Sequence, residues 1–570
     1  MTISNIEYQR IDDIPLLLAI MAEMQIQARI DEEVKPHGLW QGCSVGTIVV
    51  IWLSYILTER DHRLEPVREW VNARQSLFNR LLGIELRETD FTDDRLAKVL
   101  TMLGEEDRQV RIDRQLNKDW ITLYEMPTDV TRYDSTTIAV YQEPDDDDDE
   151  GIIGYGHSKD HRPDLAQFKV MLSTLEMGLP LTSRVINGKR ADDGLYIPAY
   201  DEVIRQVGHR RFLAVGDSKM SAWGIRVHFV REGSWYLSPY REPASRGEDI
   251  AGWIETALAH ETEWQTVHRP DEQSGELKTI AEVYEWSRPQ VAPLPNGEAI
   301  DWQERVLMTR SVALQQGMVT RRQKGEAKLY AALEALRLPP KPGRKRYRNQ
   351  EELRRVVAQL LDKYHLTGVV KVSLKAEPHK DGGERWIVAA YERDPAAWAA
   401  MVARLGWQIF LTNLPPETYD VAEIIHIYRR QPRLERGIAR LKSRNLHIRP
   451  VYLQNQQRIV GLTWILVLAL RIIVLLEYRV RRELETRDEM IVGLKSGSKT
   501  TATQKPTTER MLKVFTNITW STITVDGIQH HHVTPLTDTQ RHILQLLNLS
   551  TDVYERLMSD NPKPLLNLRE

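Results

Sequence analysis

Residues 129–141 read DVTRYDSTTIAVY, and at this point the sequence changes from helix-forming to strand-forming. β-Branched and aromatic residues dominate the stretch, which predicts a β-strand. Asp134 lies in the middle of it, where a carboxylate is disfavoured by strand propensity. Two interpretations of Asp134 are open: it lies at a sheet edge in water, or it binds a ligand.

The residues that follow predict one mixed sheet with helices packed on it. After 129–141, further strands are predicted at 168–177, 181–187, 211–215 and 235–238, and helices at 194–207 and 221–231. The short links between the first three strands indicate an antiparallel meander. The order βββαβαβ therefore predicts an α/β fold.

The rest of the chain is predicted to form separate regions around this core. Residues 1–126 carry long apolar helical faces, and residues 241–420 break the βαβ pattern and contain seven tryptophans, as an inserted module would. We therefore expect a helical N-terminal domain, a divided core, an insertion and a small C-terminal region, with these bounds: 1–126, 127–240, 241–420, 421–490 and 491–570.

Composition excludes several classes of protein. The net charge of −3 indicates that any nucleic-acid surface is local. A single cysteine, Cys43, is too few for a disulfide framework, and no secretory signal is recognised, so a cytoplasmic protein is expected.

The apolar run 459–476 is long enough to span a membrane, but it contains Arg471 and is interpreted as a buried helix. The acidic run 145–150 is interpreted as a solvated loop.

Two further acids are candidates for chemistry. Asp217 follows the buried strand 212–216, and ligands of open α/β sheets gather at strand carboxyl ends; an ordinary helix N-terminal Asp is the alternative. Glu435 lies in a strongly basic segment that Pro432 can open as a helix. It borders the apolar stripe Leu434, Ile438 and Leu441, and the alternative is a solvated basic helix.

Taken together, three carboxylates without clustered cysteine or histidine favour a hard divalent ion, Mg²⁺ or Mn²⁺. Basic residues around Glu435 suit a phosphate substrate. Two ions about 3.5–4 Å apart can activate an attacking oxygen and stabilise a leaving one.

The pattern resembles the ribonuclease H-like DDE transposases of bacterial insertion sequences. The resemblance rests on the strand order, on Asp134 and Asp217, and on Tyr428-x6-Glu435-x6-Lys442, which is similar to a Tyr-Arg-Glu-Lys signature. The long gap between Asp217 and Glu435 matches an insertion found in that superfamily, and residues 156–165 (GHSKDHRPDL) resemble one of its subgroups. At the position of the signature Arg this chain has Gln431.

The resemblance implies a magnesium-dependent endonuclease that binds DNA, cuts transposon ends and transfers the freed 3′-OH into target DNA. Asp134, Asp217 and Glu435 would hold two Mg²⁺ or Mn²⁺ ions, and the N-terminal domain would bind DNA ends. Tyr428 and Lys442 would hold DNA phosphates, with Arg430 or Arg433 in place of the signature Arg. A DNA-bound homodimer, without any membrane, is implied. The alternatives are a non-joining nuclease and a decayed DNA-binding regulator, which Gln431 favours.

Overall fold

The computed structural model describes residues 3–144, 151–241, 250–271, 275–294, 297–338, 347–378, 382–443, 445–495, 500–559 and 562–565. The acidic run 145–150 lies outside the described residues. The chain divides into two compact units, one made of Met1–Trp235 with Arg429–Glu570 and the other of Tyr236–Tyr428.

The strands of the chain are, in order, β1 Ile3–Arg10, β2 Val130–Val140, β3 Ala166–Leu175, β4 Pro180–Asn187, β5 Leu213–Val215, β6 Trp235–Tyr240, β7 Gln265–Pro270, β8 Leu277–Pro293, β9 Ala299–Ser311, β10 Val370–Pro378, β11 Glu384–Arg393, β12 Trp407–Thr412, β13 Thr519–Val525 and β14 Ile528–Val533.

The α-helices are α1 Ile14–Glu23, α2 Ile26–Glu33, α3 Val45–Glu59, α4 Glu65–Asn72, α5 Gln75–Leu82, α6 Asp93–Leu103, α7 Glu106–Leu123, α8 Tyr196–Val207, α9 Trp223–Arg231, α10 Ile250–Ala259, α11 Val312–Arg337, α12 Gln350–Lys363, α13 Pro395–Ala403, α14 Val421–Tyr428, α15 Pro432–Lys442, α16 Gln456–Thr486, α17 Thr508–Val514, α18 Asp538–Leu546 and α19 Asp552–Glu555.

The element order predicted for the core is confirmed. β2, β3 and β4 form the antiparallel meander, and β5 joins β2 in parallel. Every residue of β3 is buried, because β2 and β4 flank it and helices including α8 pack on the meander. The α/β class follows from this sheet and its helices.

The N-terminal region differs from the all-helical prediction at one element. β1 pairs antiparallel with β13, and β13 pairs with β14. The hairpin between β13 and β14 turns at Asp526 and Gly527, both at positive φ, as the Asp-Gly pair predicts. No local pattern reveals this pairing, because the partner β13 is distant in sequence, and Ile6 and Tyr8 of β1 are exposed.

The long apolar helix α16 is the core of the first unit. Of the described helices, it alone is long and apolar enough to cross a membrane, and 94% of its most apolar window is buried inside the fold. Helices including α3, α6, α15 and α18 pack around it, together with β4. The interpretation of 459–476 as a buried helix is confirmed.

One charged residue lies inside this apolar core. Arg471 has no exposed surface and donates to Asp113 of α7 at 2.6 Å and to the Leu181 carbonyl at 2.9 Å. The Trp464 indole donates to the same Asp113 oxygen at 3.1 Å. Burial raises the pKa of Asp113 and the Arg471 charge lowers it, so the guanidinium compensates the buried carboxylate.

The second unit is built from antiparallel strands and a smaller α/β cluster. β12 pairs with β6 and β9, and β8 pairs with β9 and β7. The hairpin β10–β11 packs with α11 and α12 around a separate apolar core that includes Leu329, Leu353 and Val388. The tryptophans of this unit contact other side chains: Trp253 packs on Trp286, for example, and Trp264 packs on Trp407.

Replacing Arg471 by Met is expected to destabilise the first unit by about 3–5 kcal/mol, because it leaves the buried Asp113 carboxyl without the positive charge that compensates it. The double variant R471M/D113N removes both charges and should recover most of that loss. Chemical denaturation measures both. If R471M alone is as stable as the parent protein, the ion pair does not compensate Asp113.

Candidate active site

Asp134 lies on β2, and Asp217 follows β5, the strand that pairs with β2 in parallel. In that pairing Val130 lies opposite Leu213 and Arg132 lies opposite Val215. Asp134 and Asp217 each come two residues after the last position paired between these two strands. The Asp217 charge raises the pKa of Asp134, so the two carboxylates lie within electrostatic reach of each other.

Asp134 is mostly buried and is held by a lysine. The Lys159 ammonium lies 3.2 Å from Asp134 Oδ1 and also donates to the Ser135 carbonyl at 2.5 Å. Burial raises the pKa of Asp134, the Lys159 charge lowers it, the Asp217 charge raises it, and the net shift is upward. On one side Asp134 is paired with Leu172 of β3, whereas on the other side β5 pairs with β2 only from Val130 to Arg132.

Asp217 is positioned by a buried tyrosine. The Tyr196 hydroxyl donates to Asp217 Oδ1 at 2.6 Å, and the Lys219 backbone N–H donates to the same oxygen at 2.9 Å. Burial and the Asp217 charge raise the pKa of Tyr196 well above its usual range, so it remains a donor. A Cβ at Gly216 would lie 2.7 Å from the Met220 sulfur and 3.3 Å from the Tyr196 ring, so a larger residue here would push both apart.

Glu435 lies on α15, which begins at Pro432 as predicted. Leu434 and Leu441 are buried and Ile438 is half-buried, which gives the expected apolar stripe, and Glu435 is exposed beside it. A Cβ at Gly178, in the turn between β3 and β4, would lie 3.1 Å from the Arg433 carbonyl oxygen, so that turn closely approaches the start of α15.

A buried arginine ties the start of α15 to β2. Arg132 donates to the Gln431 side-chain oxygen at 3.1 Å and forms an ion pair with Glu176 at 2.7 Å. Arg430 and Arg433 also approach Glu176, at 3.2 Å and 3.6 Å. Three guanidiniums therefore share one carboxylate, which leaves the N-terminal end of α15 positively charged.

These contacts hold the start of α15 on the face of β2 that carries Arg132. Arg132 and Asp134 are two apart on β2 and share a face of the sheet. Gln431 and Glu435 are four apart and share a face of α15, and Arg132 contacts Gln431. Within the described parts of the chain, however, no group of three His, Cys, Asp or Glu side chains is close enough to hold a metal ion.

The predicted phosphate contacts have different surroundings. Lys442, at the end of α15, is paired with Asp160 at 2.9 Å, and Arg449 is paired with the same carboxylate at 2.8 Å. Burial lowers the pKa of Lys442, and the Asp160 charge opposes that shift. Tyr428 belongs to the second unit, where its ring packs on Phe410 at a centroid distance of 4.4 Å.

Sequence reasoning missed three residues that position the candidate acids: Lys159, Tyr196 and Arg132. Lys159 lies in the stretch GHSKDHRPDL, which drew attention only through its resemblance. Arg132 shares the strand face of Asp134, and a second charged residue at that spacing was the available signal. Tyr196 opens α8 and carries no pattern that relates it to Asp217.

Gln431→Arg is expected to destabilise the protein by about 1–3 kcal/mol, because a second guanidinium would meet the fully buried Arg132. The double variant R132Q/Q431R exchanges donor and acceptor and should recover most of that stability. Thermal and chemical unfolding measure the difference. A Q431R variant as stable as the parent protein would contradict the assigned role of the Arg132–Gln431 bond.

A known protein family matches this region of the chain. No curated protein matches the sequence. Residues 125–472, more than half of the chain, match the family model described as the transposase DDE domain. The match includes Asp134, Asp217 and Glu435, and it agrees with the mixed α/β, ribonuclease H-like class expected from the sequence. The chain therefore belongs to the family of DDE transposases.

Proposed function

We propose that this protein is an insertion-sequence transposase that cuts DNA at the element's ends and joins the freed 3′-OH to target DNA. Asp134, Asp217 and Glu435 are its proposed catalytic acids. The observation that carries the proposal is the parallel pairing of β2 with β5, because Asp134 and Asp217 each come two residues after its last paired position. The bond from Arg132 to Gln431 supports the third position, because it holds α15 beside β2.

The donor set fits a divalent cation. Two neighbouring carboxylates repel each other, and the Lys159 ammonium already supplies Asp134 with one positive charge. Oxygen donors alone suit Mg²⁺ or Mn²⁺. Asp134, Asp217 and Glu435 would hold two such ions, which when bound supply activation of the attacking oxygen and stabilisation of the leaving one.

The protein's own side chains orient these acids and hold the DNA. Tyr196 and the Lys219 N–H both donate to Asp217 Oδ1, so that carboxylate keeps one orientation and its Oδ2 remains for a ligand. Arg430, Arg433 and Lys442 are the proposed contacts to DNA phosphates, and the excess of guanidiniums over Glu176 supports the first two. Tyr428 is proposed as a fourth contact.

The remaining roles follow from the proposed reaction. Residues 1–126 are proposed to bind the DNA ends and 241–420 to form an insertion within the core, and the second compact unit, Tyr236–Tyr428, supports the insertion. Two ends must be held together for joining, so a homodimer on DNA is proposed. The protein would act in the cytoplasm, on nucleoid DNA.

Replacing any one proposed acid, as D134N, D217N or E435Q, is expected to reduce Mg²⁺-dependent cleavage about 10³-fold, because several kcal/mol of charge stabilisation is lost. Binding to duplex DNA should persist in each variant. The matched control is E485Q, an exposed acid at the end of α16, which should cleave as the parent protein does.

The assay uses a supercoiled plasmid that carries two copies of the DNA flanking the gene. A transposase gives joined products that depend on the end sequence. Cleavage without joining would identify the non-joining nuclease, and binding without cleavage would identify a regulator. Unchanged cleavage by D134N would overturn the proposed site.

A further inference from the structure

Residues 157–165, here named the strap, cross from β2 toward β3 beside the candidate active site. Just before the strap the backbone at Gly156 lies close to that of Gly188, since a Cβ at Gly156 would be 2.2 Å from the Gly188 carbonyl oxygen. The chain after it enters β3 at Ala166. Between these ends the buried Ser158 anchors the strap, and its hydroxyl accepts from the Asp160 and Arg162 N–H groups, each at 3.3 Å.

Beyond Ser158, the strap contacts the candidate site through two adjacent side chains of opposite charge. The Lys159 ammonium lies on Asp134, the acid that is proposed to bind a metal cation. The Asp160 carboxylate lies between Lys442 and Arg449, with one oxygen 2.9 Å from Lys442 Nζ and the other 2.8 Å from Arg449. The Lys159 ammonium therefore occupies the acidic position at Asp134, and the Asp160 carboxylate occupies the basic position between Lys442 and Arg449.

The basic position has the chemistry of a phosphate site. Lys442 is mostly buried, with 13% of its side chain exposed, so its ammonium is costly to keep without an anion. Arg449 adds a guanidinium, whose fork of donors suits the oxygens of a phosphodiester as well as those of a carboxylate. The two oxygens of the Asp160 carboxylate share one negative charge. The two non-bridging oxygens of a DNA phosphodiester do the same.

We propose that Lys442 and Arg449 form a binding site for a DNA phosphodiester, and that the strap fills this site with Asp160 and the metal position with Lys159 when DNA and metal are absent. The proposal rests on the proposed function. DNA displaces Asp160, and a divalent cation displaces Lys159. Because the two residues are adjacent, the departure of one carries the other away.

The part of the strap beyond the buried Ser158 is built to move without unfolding the core. Its residues 161–164 are exposed, and Arg162 pairs with Asp164 inside the strap at 2.7 Å. Segments with few buried apolar contacts open at low free-energy cost. In the closed state, with the strap in place, Lys159 offsets the charge of Asp134 and Asp160 offsets charge at Lys442 and Arg449. The strap therefore masks both charged positions at once.

The first test measures binding of a fluorescent 30-base-pair duplex by anisotropy, without divalent metal. D160N removes the competing carboxylate and is expected to lower Kd about tenfold. The matched control D164N removes the same charge from the same strap, but its partner is Arg162, and it should change Kd less than about twofold. The double variant D160N/R449Q should lose the gain.

The second test measures Mn²⁺ binding to the DNA-free protein by electron paramagnetic resonance. K159M is expected to bind Mn²⁺ about tenfold more tightly, because the competing ammonium is gone, whereas K189M, an exposed lysine nearby, should not. Unchanged or weaker DNA binding by D160N, or unchanged or weaker Mn²⁺ binding by K159M, would overturn the proposal. The plasmid assay tests the proposed function separately, because both binding measurements are independent of cleavage.

Discussion

The first unit depends on one constraint: α16 is apolar on every side, so the rest of that unit must enclose it. Helices from the N-terminal region, the β4 side of the meander, α15 and the C-terminal helices all contact it. The buried Arg471 of α16 contacts α7 through Asp113 and β4 through the Leu181 carbonyl. The meander that contains Asp134 and the helix α15 that contains Glu435 both contact α16, the meander through β4.

The parts of the fold with strong local signals could be predicted from sequence. β2 to β5 carry β-branched or apolar runs bounded by turn residues, and their order and the antiparallel meander were correct. The Asp526–Gly527 turn was also readable, because it is a local backbone requirement. The choice of Asp134 and Asp217 as candidate acids rested on strand placement and on the resemblance, and it stays a prediction.

The parts that escaped prediction are long-range pairings. β1 gains its partner β13 from the other end of the sequence, and no local pattern reveals it. Gln431 looked like a defect in a signature, whereas in the structure its oxygen accepts from Arg132, a residue distant in the chain. Lys159 and Asp160 were visible only as a resembling stretch, because their roles depend on which acids and bases the fold sets beside them. The association of Glu435 with the two aspartates stays a proposal.

The division of the first unit has a consequence for biosynthesis. Its two segments, Met1–Trp235 and Arg429–Glu570, are separated in sequence by the entire second unit, so the ribosome synthesises them at different times. Until residues 429–486 emerge, the nascent chain has Asp134 and Asp217 but neither α15 nor the central helix that encloses the core. β1 must wait longer still, because β13 is made near the end of synthesis. A chain that stops before residue 429 thus lacks α15 and α16, and α3, α6 and β4 then have no central helix to pack against.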